Sequence, residues 1–498
     1  ASFVSIKVDR EEHPDVDRVY LAYVTSVNGG GWPMSLFLTP DLKPFFGATY
    51  MPPDTRGREE GFRSVLRRVA AQWVSNRDVL IAAANEGSTT VMAQAQIPKA
   101  SGDIESTSVA ALDSTFDAIA RSFDGINGGF GGAPKFPRPV VMTFLLRHFA
   151  RTGETRARDM ALDTLRAMAR SGIHDHLGGG FHRYTVDAAW QIPHFEKMLY
   201  DQALISMAYT EAYQLTRDDA FAATARDTLE YVRQTLRSPA GGFYSAEDAD
   251  SLASASDTRL AEGAFYVWTP QALARALGNG QAALVAYHFG VTDEGNLTVP
   301  GASADSLGKS ALGERHTLTE TAARFRLTEQ TTRTRLDDAL AVLARVRATR
   351  PRPARDDKII AAWNGLMISA FARAGQTFDN RGDIDTAVSA ARFIESRMFD
   401  ASTGTLKRRA RQDAVDLDGL LEDYAFVIQG CLDVFEASFD PRWLRLASRL
   451  QQTQDTLFWD QKDGGYFSTR ADAAHLLARM KEDYDGPEPA ANSVSALN

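Results

Sequence analysis

The chain has 498 residues, too long for one ordinary domain of roughly 100–200 residues. Hydrophobic residues make up 44% and charged residues 24%, values typical of a globular protein, so disordered and collagen-like architectures are excluded. There are 55 basic and 64 acidic residues, a net charge of -9, and the absence of a basic block argues against nucleic-acid binding. No apolar run approaches the roughly 18 residues of a membrane-spanning helix, so we expect no membrane partner.

The N-terminal part of the sequence alternates between strand and helix patterns. A strand is predicted over residues 3–8, and a helix follows that begins at Pro14 and ends at three consecutive glycines. Residues 35–47 predict a hairpin, with Trp32-Pro33 just before it. A βα unit followed by a hairpin is typical of the second half of a thioredoxin fold, in which this proline is cis. We therefore predict a partial thioredoxin-like α/β domain over residues 1–98.

From about residue 105 onward, nearly every segment has helical periodicity, so the fold class is mainly α. A Gly-Gly-aromatic motif recurs at Gly128, Gly179, Gly241 and Gly464, and its first two intervals, 51 and 62 residues, match a helical hairpin with its loops. Helix pairs joined by short β-hairpins, at 181–186 and 265–268, indicate an (α/α)6 toroid over residues 105–498. A TPR or HEAT array is the alternative. Helices are predicted over residues 108–123, 139–152, 155–171, 194–215, 218–237, 270–278, 280–289, 318–347, 358–377, 384–399, 419–437 and 441–457.

The only cysteine is Cys431, on a predicted helix among apolar residues, where a buried, inert thiol is expected. A lone cysteine excludes an internal disulfide and a cysteine-based zinc site, which favours a reducing compartment such as the cytoplasm. The sequence begins in a strand pattern without an initiator methionine and stops without a helix stop signal. We therefore expect a piece of a longer chain.

One loop of the helical domain contains the candidate histidines His174, His176 and His194. A histidine beside a carboxylate such as Glu196 suits general acid–base catalysis near neutral pH. Glu196 and Tyr200 are four residues apart and would share one helix face. Two alternatives stay open. One is a buried histidine pair that caps helix ends, and the other is a three-histidine metal site, although the spacing matches no specific zinc signature. We predict neither a metal nor a cofactor.

A second group of candidate residues follows the third Gly-Gly-aromatic motif. Glu247, Asp248 and Asp250 could hold the hydroxyls of a sugar or supply an acid and a base. Trp268, on a nearby aromatic hairpin, could provide a stacking platform for that sugar. The alternative is a solvated acidic turn, and the spacing does not fit an EF-hand.

Further acids stand beside aromatic or amide residues where helices begin. Asp357 precedes Trp363 and Asn364, and a polar asparagine is unusual in this apolar helix start. The theme recurs at Glu422-Asp423-Tyr424 and in the segment from Lys481 to Asp485, which includes Asp483. Only ten residues are lysines and 45 are arginines, yet Lys135, Lys197, Lys358 and Lys481 all lie in these clusters. This bias predicts that a compact ammonium group is required there.

Seven motifs together resemble the thioredoxin-domain proteins related to spermatogenesis-associated protein 20 and bacterial YyaL, over essentially the whole chain. The resemblance implies a thioredoxin-like domain joined to an (α/α)6 domain similar to six-hairpin glycosidases and N-acylglucosamine 2-epimerases. It also implies a cysteine motif in a segment before Phe3, so no redox role is carried over to the residues present. The motifs are Phe3 to Glu12, Gly31 to Pro33, Lys43 to Gly47, Pro134 to Pro137, His194 to Asp201, Ser245 to Ser251 and Lys481 to Gly486.

The first functional hypothesis is a carbohydrate-active enzyme with a sugar-binding funnel. A histidine pair would suit isomerisation or epimerisation, whereas hydrolysis would need two facing carboxylates such as Asp248 and Asp357. The predicted catalytic residues are His176, His194, Glu196, Asp248 and Asp357. The predicted substrate-binding residues are His174, Trp190, Tyr200, Glu247, Asp250, Trp268, Trp363, Asn364, Glu422, Asp423, Lys481 and Asp483.

The second hypothesis is a redox-linked binding module. In it, the toroid recognises a ligand or partner for the thioredoxin-like domain and performs no chemistry of its own. A toroid that kept the fold but lost catalysis is a third possibility, which a likeness of fold alone does not exclude.

Overall fold

A computed structural model describes residues 2–96, 104–297, 307–473 and 476–498, so the predicted domain boundary lies largely outside the described residues. The fold is mainly α, an (α/α)6 toroid preceded by a partial thioredoxin-like α/β domain, as predicted. The helices are α1 (Pro14–Asn28), α2 (Phe62–Ser75), α3 (Arg77–Gln94), α4 (Ile104–Ser122), α5 (Pro139–Thr152), α6 (Thr155–Arg170), α7 (Leu199–Thr216), α8 (Asp219–Tyr231), α9 (Pro270–Leu277), α10 (Asn279–Phe289), α11 (Leu318–Phe325), α12 (Glu329–Arg347), α13 (Ala361–Thr377), α14 (Arg381–Phe393), α15 (Leu421–Ser438), α16 (Pro441–Phe458) and α17 (Ala491–Leu497).

The strands are short and pair antiparallel. In the helical domain, β6 pairs with both β5 and β9, which brings the start of α7 close to the segment before α13. The strands are β1 (Ser35–Leu38), β2 (Pro44–Ala48), β3 (Tyr184–Thr185), β4 (Pro193–His194), β5 (Lys197–Met198), β6 (Ala246–Glu247), β7 (Asp250–Leu252), β8 (Leu260–Glu262), β9 (Arg355–Asp356), β10 (Ile359–Ile360), β11 (Phe399–Asp400), β12 (Thr405–Arg411) and β13 (Ala414–Asp418).

Most predicted elements of the thioredoxin-like domain are confirmed. Helix α1 begins at Pro14 and ends at Gly29, whose φ of 79° lies in the left-handed region that favours glycine. Strands β1 and β2 form the predicted hairpin, and the Trp32–Pro33 peptide bond is cis. The predicted strand over residues 3–8 is wrong. No described strand pairs with this segment, and its side chains are exposed.

The toroid is built from helical hairpins in two layers. The hairpins are α5–α6, α7–α8, α13–α14 and α15–α16, and the inner helices α5, α7, α13, α15 and α17 pack side by side in that order. Helices α7, α13 and α15 are buried on nearly every side, as expected of inner helices that are apolar all round. Outer helices such as α6 and α16 bury a single face. Helices α9 to α12 pack around a separate apolar cluster between the second and third hairpins.

Two glycines let α13 and α15 approach closely. A Cβ at Gly365 would lie 2.4 Å from the backbone carbonyl carbon of Phe426, and one at Gly430 would lie 2.9 Å from the Gly365 oxygen. A side chain larger than that of glycine would clash at this crossing. The two glycines therefore allow the first turns of α13 and α15 to lie side by side. The Ala362 N–H donates to Asp423 Oδ1 at 3.0 Å across this contact.

Several predicted boundaries need correction because local pairing replaces helix. The helix predicted at 194–215 begins at Leu199, since the preceding residues form β4 and β5. The helix predicted at 318–347 is broken at Arg326, which adopts a left-handed φ of 56°. Neither predicted hairpin forms on its own: β3 lies within 181–186 but pairs with β4, and Trp268 forms a bridge to Ser310.

Amide side chains of inner helices hold the Gly-Gly-aromatic loops. Asn364 Oδ1 accepts the Phe243 N–H at 2.8 Å, while its Nδ2 donates to the Phe243 and Ile360 carbonyl oxygens. The predicted substrate-binding amide of Asn364 is therefore occupied by backbone. The same pair of hydrogen bonds joins the Gln202 side chain to the Phe181 backbone. Asn492, the second residue of α17, holds the Tyr466 backbone in the same way.

The clustered lysines bind the same loops. Lys197 Nζ donates to the Gly179 carbonyl oxygen and to Asp175, both at 2.8 Å. Lys135 holds Gly128 and Asp124, and Lys481 holds Gly464 and Asp460, in the same way. The third loop has Ser238 in place of the aspartate, and Lys358 pairs instead with Asp9, Glu11 and Asp356. The lysine bias of the sequence thus reflects loop anchoring.

Candidate functional site

The first turns of α7, α13, α15 and α17 lie at one end of the toroid, and residues 9–18 of the first domain lie against them. We call this region the domain junction. Lys358, just before α13, binds Asp9 Oδ2 at 2.7 Å and Glu11 Oε2 at 2.9 Å. Arg408 donates to the Glu11 carbonyl oxygen from two nitrogens, at 2.8 and 2.6 Å. The thioredoxin-like domain therefore forms one wall of the junction.

Arginines and acids alternate across the domain junction. Arg18 donates to Glu422 and lies 3.4 Å from Glu482, while the buried Arg408 binds Glu422 at 2.8 Å and Asp423 at 2.9 Å. Burial by itself would raise the pKa of Glu422, but the two guanidinium groups lower it to about 2. Burial raises the pKa of Asp423, whose carboxylate caps the first turn of α13.

Two further acids of the junction stay protonated at higher pH. Burial and the negative charge of Glu422 raise the pKa of Glu488 to about 8, against the attraction of Arg18 and Arg408. Burial likewise raises the pKa of Glu482 to about 6. Within the described part of the chain, Glu488 accepts no hydrogen bond. One junction thus holds an ionised and a protonated carboxyl group side by side.

The first turn of α7 adds another pair of polar groups that lack a partner. Asp201 is 4% exposed, and its Oδ2 has no hydrogen-bond partner among the described residues. Burial raises its pKa to about 8, although Arg183 opposes this shift. The Tyr200 ring packs edge-on against Trp363 at 5.0 Å, and its hydroxyl makes no hydrogen bond to the described residues. The charges of Asp201, Arg183, Glu488 and Arg10 all act on this phenol, whose pKa burial raises.

His194 lies beside this turn within a group of acids. Its Nδ1 is 2.6 Å from Glu262 and its Nε2 is 3.7 Å from Glu196, which also accepts from Arg183 at 2.8 Å. Burial, then the charges of Asp248 and Glu262, raise the pKa of Asp250 nearby. The structure therefore brings together four predicted site residues, His194, Glu196, Asp248 and Asp250.

His176 belongs to a different network. It lines a cavity of about 20 Å³ with His174, His182 and Arg347, enough for about one water molecule. Burial and the neighbouring His174 lower the pKa of His176 to about 3, so its imidazole stays neutral. His174 Nε2 is 2.9 Å from Asp227. No three histidine, cysteine or acidic side chains of the described residues are arranged to hold a metal ion.

Several predicted site residues have structural partners instead of an open surface. Trp190 is 0% and Trp268 1% exposed, which corrects the expectation that their rings line a sugar funnel. The indole of Trp190 donates to the Asn127 carbonyl oxygen at 3.1 Å. Glu247 is buried and accepts from Tyr231 and Arg352. Asp357 pairs with Arg411, away from the His194 group, and Asp483 is exposed.

Five residues of the domain junction escaped the sequence-based selection: Arg18, Arg183, Asp201, Glu482 and Glu488. Asp201 had a usable signal, because it is the one charged residue in the first half of a helix that is otherwise apolar on every side. The others had none, since their roles depend on partners far away in the sequence. In the ranges that the structure describes, no helix has the length and apolar character to cross a bilayer.

Comparisons with known proteins agree with this architecture. A thioredoxin-like family model described as "Protein of unknown function, DUF255" matches residues 1–92. Spermatogenesis-associated protein 20 of Homo sapiens is 43% identical, over 100% of this chain and 66% of the human protein. Uncharacterized protein B0495.5 of Caenorhabditis elegans is 37% identical, over 100% of this chain and 70% of its own. The chain thus spans about two thirds of the length of these curated relatives.

One solved structure to which this chain is similar is a family 76 glycoside hydrolase from a bovine Bacteroides thetaiotaomicron strain. Its sequence is 10% identical and its TM-score is 0.46, over 79% of this chain and 63% of the hydrolase.

Proposed function

The chain belongs to the family of spermatogenesis-associated protein 20, and we propose that its domain junction binds a carbohydrate and acts on it by acid–base chemistry. One observation carries the proposal. Where the inner helices begin, the Asp201 and Glu488 charges both act on the Tyr200 hydroxyl. Among the described residues, the buried Asp201 Oδ2 has no partner, and the Tyr200 hydroxyl and the Glu488 carboxyl group make no hydrogen bond. Polar groups left unpaired in a protein interior are costly unless a ligand or water completes them.

The acids of the junction have the two protonation states that this chemistry needs. Glu488, with a pKa of about 8, holds a proton at neutral pH, whereas Glu422, with a pKa of about 2, is an anion. Two nearby carboxyl groups with pKa values pushed apart are suited to the acid and the charged partner of a glycosyl or epimerisation reaction. Asp201 is a second protonated group that can donate to a sugar hydroxyl.

The surroundings of Tyr200 supply the other contacts that a sugar needs. Its hydroxyl can donate and accept, and the edge-on contact with the buried Trp363 fixes the position of the Tyr200 ring. Beside these groups lie Glu196 and His194, a carboxyl group and an imidazole, which are residue types that general acid–base catalysis uses. A cytoplasmic location is part of the proposal, since a sequence with the single cysteine Cys431 forms no internal disulfide, as is usual in a reducing compartment.

A redox-linked binding module is the second candidate function. It is favoured by the direct contact between the two domains, in which Arg18 of the thioredoxin-like domain binds Glu422 of the toroid. In this case the junction would hold a ligand for the first domain without transforming it. The two candidates differ in whether the sugar leaves the site chemically changed.

The test is a thermal-shift and NMR screen with neutral mono- and disaccharides. We expect one sugar class to raise Tm and to be epimerised or hydrolysed, as followed by ¹H NMR. Tyr200→Phe keeps the ring packing and should weaken the Tm shift, while Glu488→Gln should abolish turnover but still bind. Tyr287→Phe is the matched control and should behave as wild type. Tyr287 lies in α10, and its ring stacks on His316. A screen without any Tm shift would refute the proposal, and binding without turnover would favour the second candidate.

A further inference from the structure

Arg10 holds a guanidinium group over the domain junction. Its Cζ lies 4.3 Å above the centre of the Trp32 ring, and the Trp32 indole N–H donates to Asp17 at 2.9 Å. The ring is therefore fixed on its nitrogen edge and covered by the cation on one face. Trp32 remains 49% exposed, so this pair stands at an accessible edge.

The residues on both sides of Arg10 are anchored to the toroid. Asp9 and Glu11 both bind Lys358 at the start of α13, and the Glu11 carbonyl oxygen binds Arg408. Arg10 has no comparable partner, since no acid of the described residues lies within 4.0 Å of its guanidinium and no hydrogen bond engages it. The backbone thus fixes the position of a cation whose five N–H donors stay available.

Three other acids of the junction are already paired with cations. Glu422 is paired with two arginines, Glu196 with Arg183, and Glu11 with Lys358. Asp17 is the acid whose charge acts on Arg10, and its Oδ1 accepts from the Trp32 indole. A bound anion would therefore meet Arg10 without facing an excess of unpaired carboxylates.

We propose that Arg10 is the specificity-determining residue that makes this site select a sugar carrying a carboxylate, such as a hexuronate. The inference rests on the proposed carbohydrate function and names its substrate class. A guanidinium group presents two parallel N–H donors that match a carboxylate, and Trp32 holds the planar group in place. The Arg10 charge also acts on the Tyr200 hydroxyl, which belongs to the toroid.

The test compares matched sugar pairs that differ only at C6: glucuronate with glucose, galacturonate with galactose, and mannuronate with mannose. Isothermal titration with the protein should show, in at least one pair, a Kd at least about tenfold lower for the uronate. In Arg10→Gln this preference should disappear while the Kd for the neutral sugar changes less than about twofold. Arg10→Lys should keep part of the preference for the uronate. Arg77→Gln is the control, because Arg77 also stacks on a tryptophan, Trp73, in the same domain.

The outcomes separate this inference from the proposed function. Neutral sugars that bind as tightly as uronates, or a preference that survives in Arg10→Gln, would overturn the role of Arg10 and leave carbohydrate binding intact. If glucose 6-phosphate binds more tightly than glucuronate and this binding depends on Arg10, the proposed preference for a carboxylate is wrong and the site prefers a phosphate. If no sugar of either kind binds, the proposed function fails and the inference fails with it.

Discussion

Arg18, in the first helix of the chain, donates a hydrogen bond to Glu422 in the first turn of α15, 404 residues further along. The Glu422 side chain is 7% exposed, and it also accepts from Arg408 of the toroid. Both domains therefore share one buried carboxylate. Since the charge of Glu422 in turn raises the pKa of Glu488, that pKa depends on the contact between the two domains.

Removing this shared contact should destabilise the protein. Arg18→Gln leaves Glu422 and Glu482 with one cation fewer in a largely buried site, and we expect a loss of about 3 kcal/mol in the free energy of unfolding. Urea unfolding measures the change. Arg63→Gln is the control, because Arg63 and its partner Asp54 are two-thirds exposed, and it should cost less than about 1 kcal/mol. Equal stability of the two variants would contradict the importance of the contact.

The buried ion group of Asp175 should be essential to the fold. Lys197→Met leaves Asp175 with Arg347 and releases the Gly179 carbonyl oxygen, so the free energy of unfolding should fall by about 3–5 kcal/mol. Lys407→Met removes an exposed pair with Asp418 and should cost about 0–1 kcal/mol. Thermal unfolding of both variants distinguishes a structural lysine from a surface one. A mild effect at Lys197 would show that its loop is held by other contacts.

We expect Asn364 to contribute to the stability of the fold and not to sugar binding. Asn364→Leu keeps the volume but leaves the Phe243 N–H and carbonyl oxygen without partners, which should cost about 2–3 kcal/mol. Gln214→Leu removes an exposed amide that donates to Thr377 and is the control. Sugar affinity, measured by titration at a temperature where the variant is folded, should be unchanged. A selective loss of affinity without a loss of stability would restore Asn364 to the binding site.

The free energy of unfolding should fall as pH rises, because folding raises the pKa values of two buried acids. The pKa of Glu488 rises from its ordinary value of about 4.5 to about 8 on folding, so the folded state binds its proton more tightly. This contribution is fully present below about pH 4.5 and is lost as pH rises through about 8. Asp201 acts in the same direction.

Urea unfolding at pH 5, 7 and 9 tests this dependence. Glu488→Gln and Asp201→Asn should each flatten the decline between pH 5 and pH 9, because neither replacement can lose a proton. Glu436→Gln, at an exposed position of α15, should leave the decline as in wild type. An unchanged slope in both test variants would show that these acids are ionised at neutral pH.

Features set by neighbouring residues were predictable from the sequence. Helix α1 begins at Pro14 and ends at Gly29, because proline suits the first turn of a helix and glycine suits the left-handed conformation at its end. The hairpin of β1 and β2 and most toroid helices follow from turn residues and periodicity. The recurring Gly-Gly-aromatic loops also pointed to repeated hairpins. In three of these loops the structure shows a bond from a clustered lysine to the first glycine, whereas the fourth lysine, Lys358, binds acids instead.

The candidate site was only partly predictable. Tyr200, Glu422 and His194 stand at or just before helix starts, which the sequence pattern indicates, and their role in a site remains a prediction. Trp190 and Trp268 were not distinguishable from surface aromatics, since their burial depends on loops from other hairpins. Residues 3–8 show the converse, an alternating pattern beside which the described part of the chain places no strand to pair with.

The sequence by itself determined the helices, the thioredoxin-like hairpin and the repeated loops, because those features depend on residues within a few turns of one another. Only the tertiary structure decided which charges meet. Arg18, Glu422 and Glu488 come from opposite ends of the chain, and their protonation follows from burial and from mutual distance. Desolvation and Coulomb interaction act through space, so they exist only once the two domains pack.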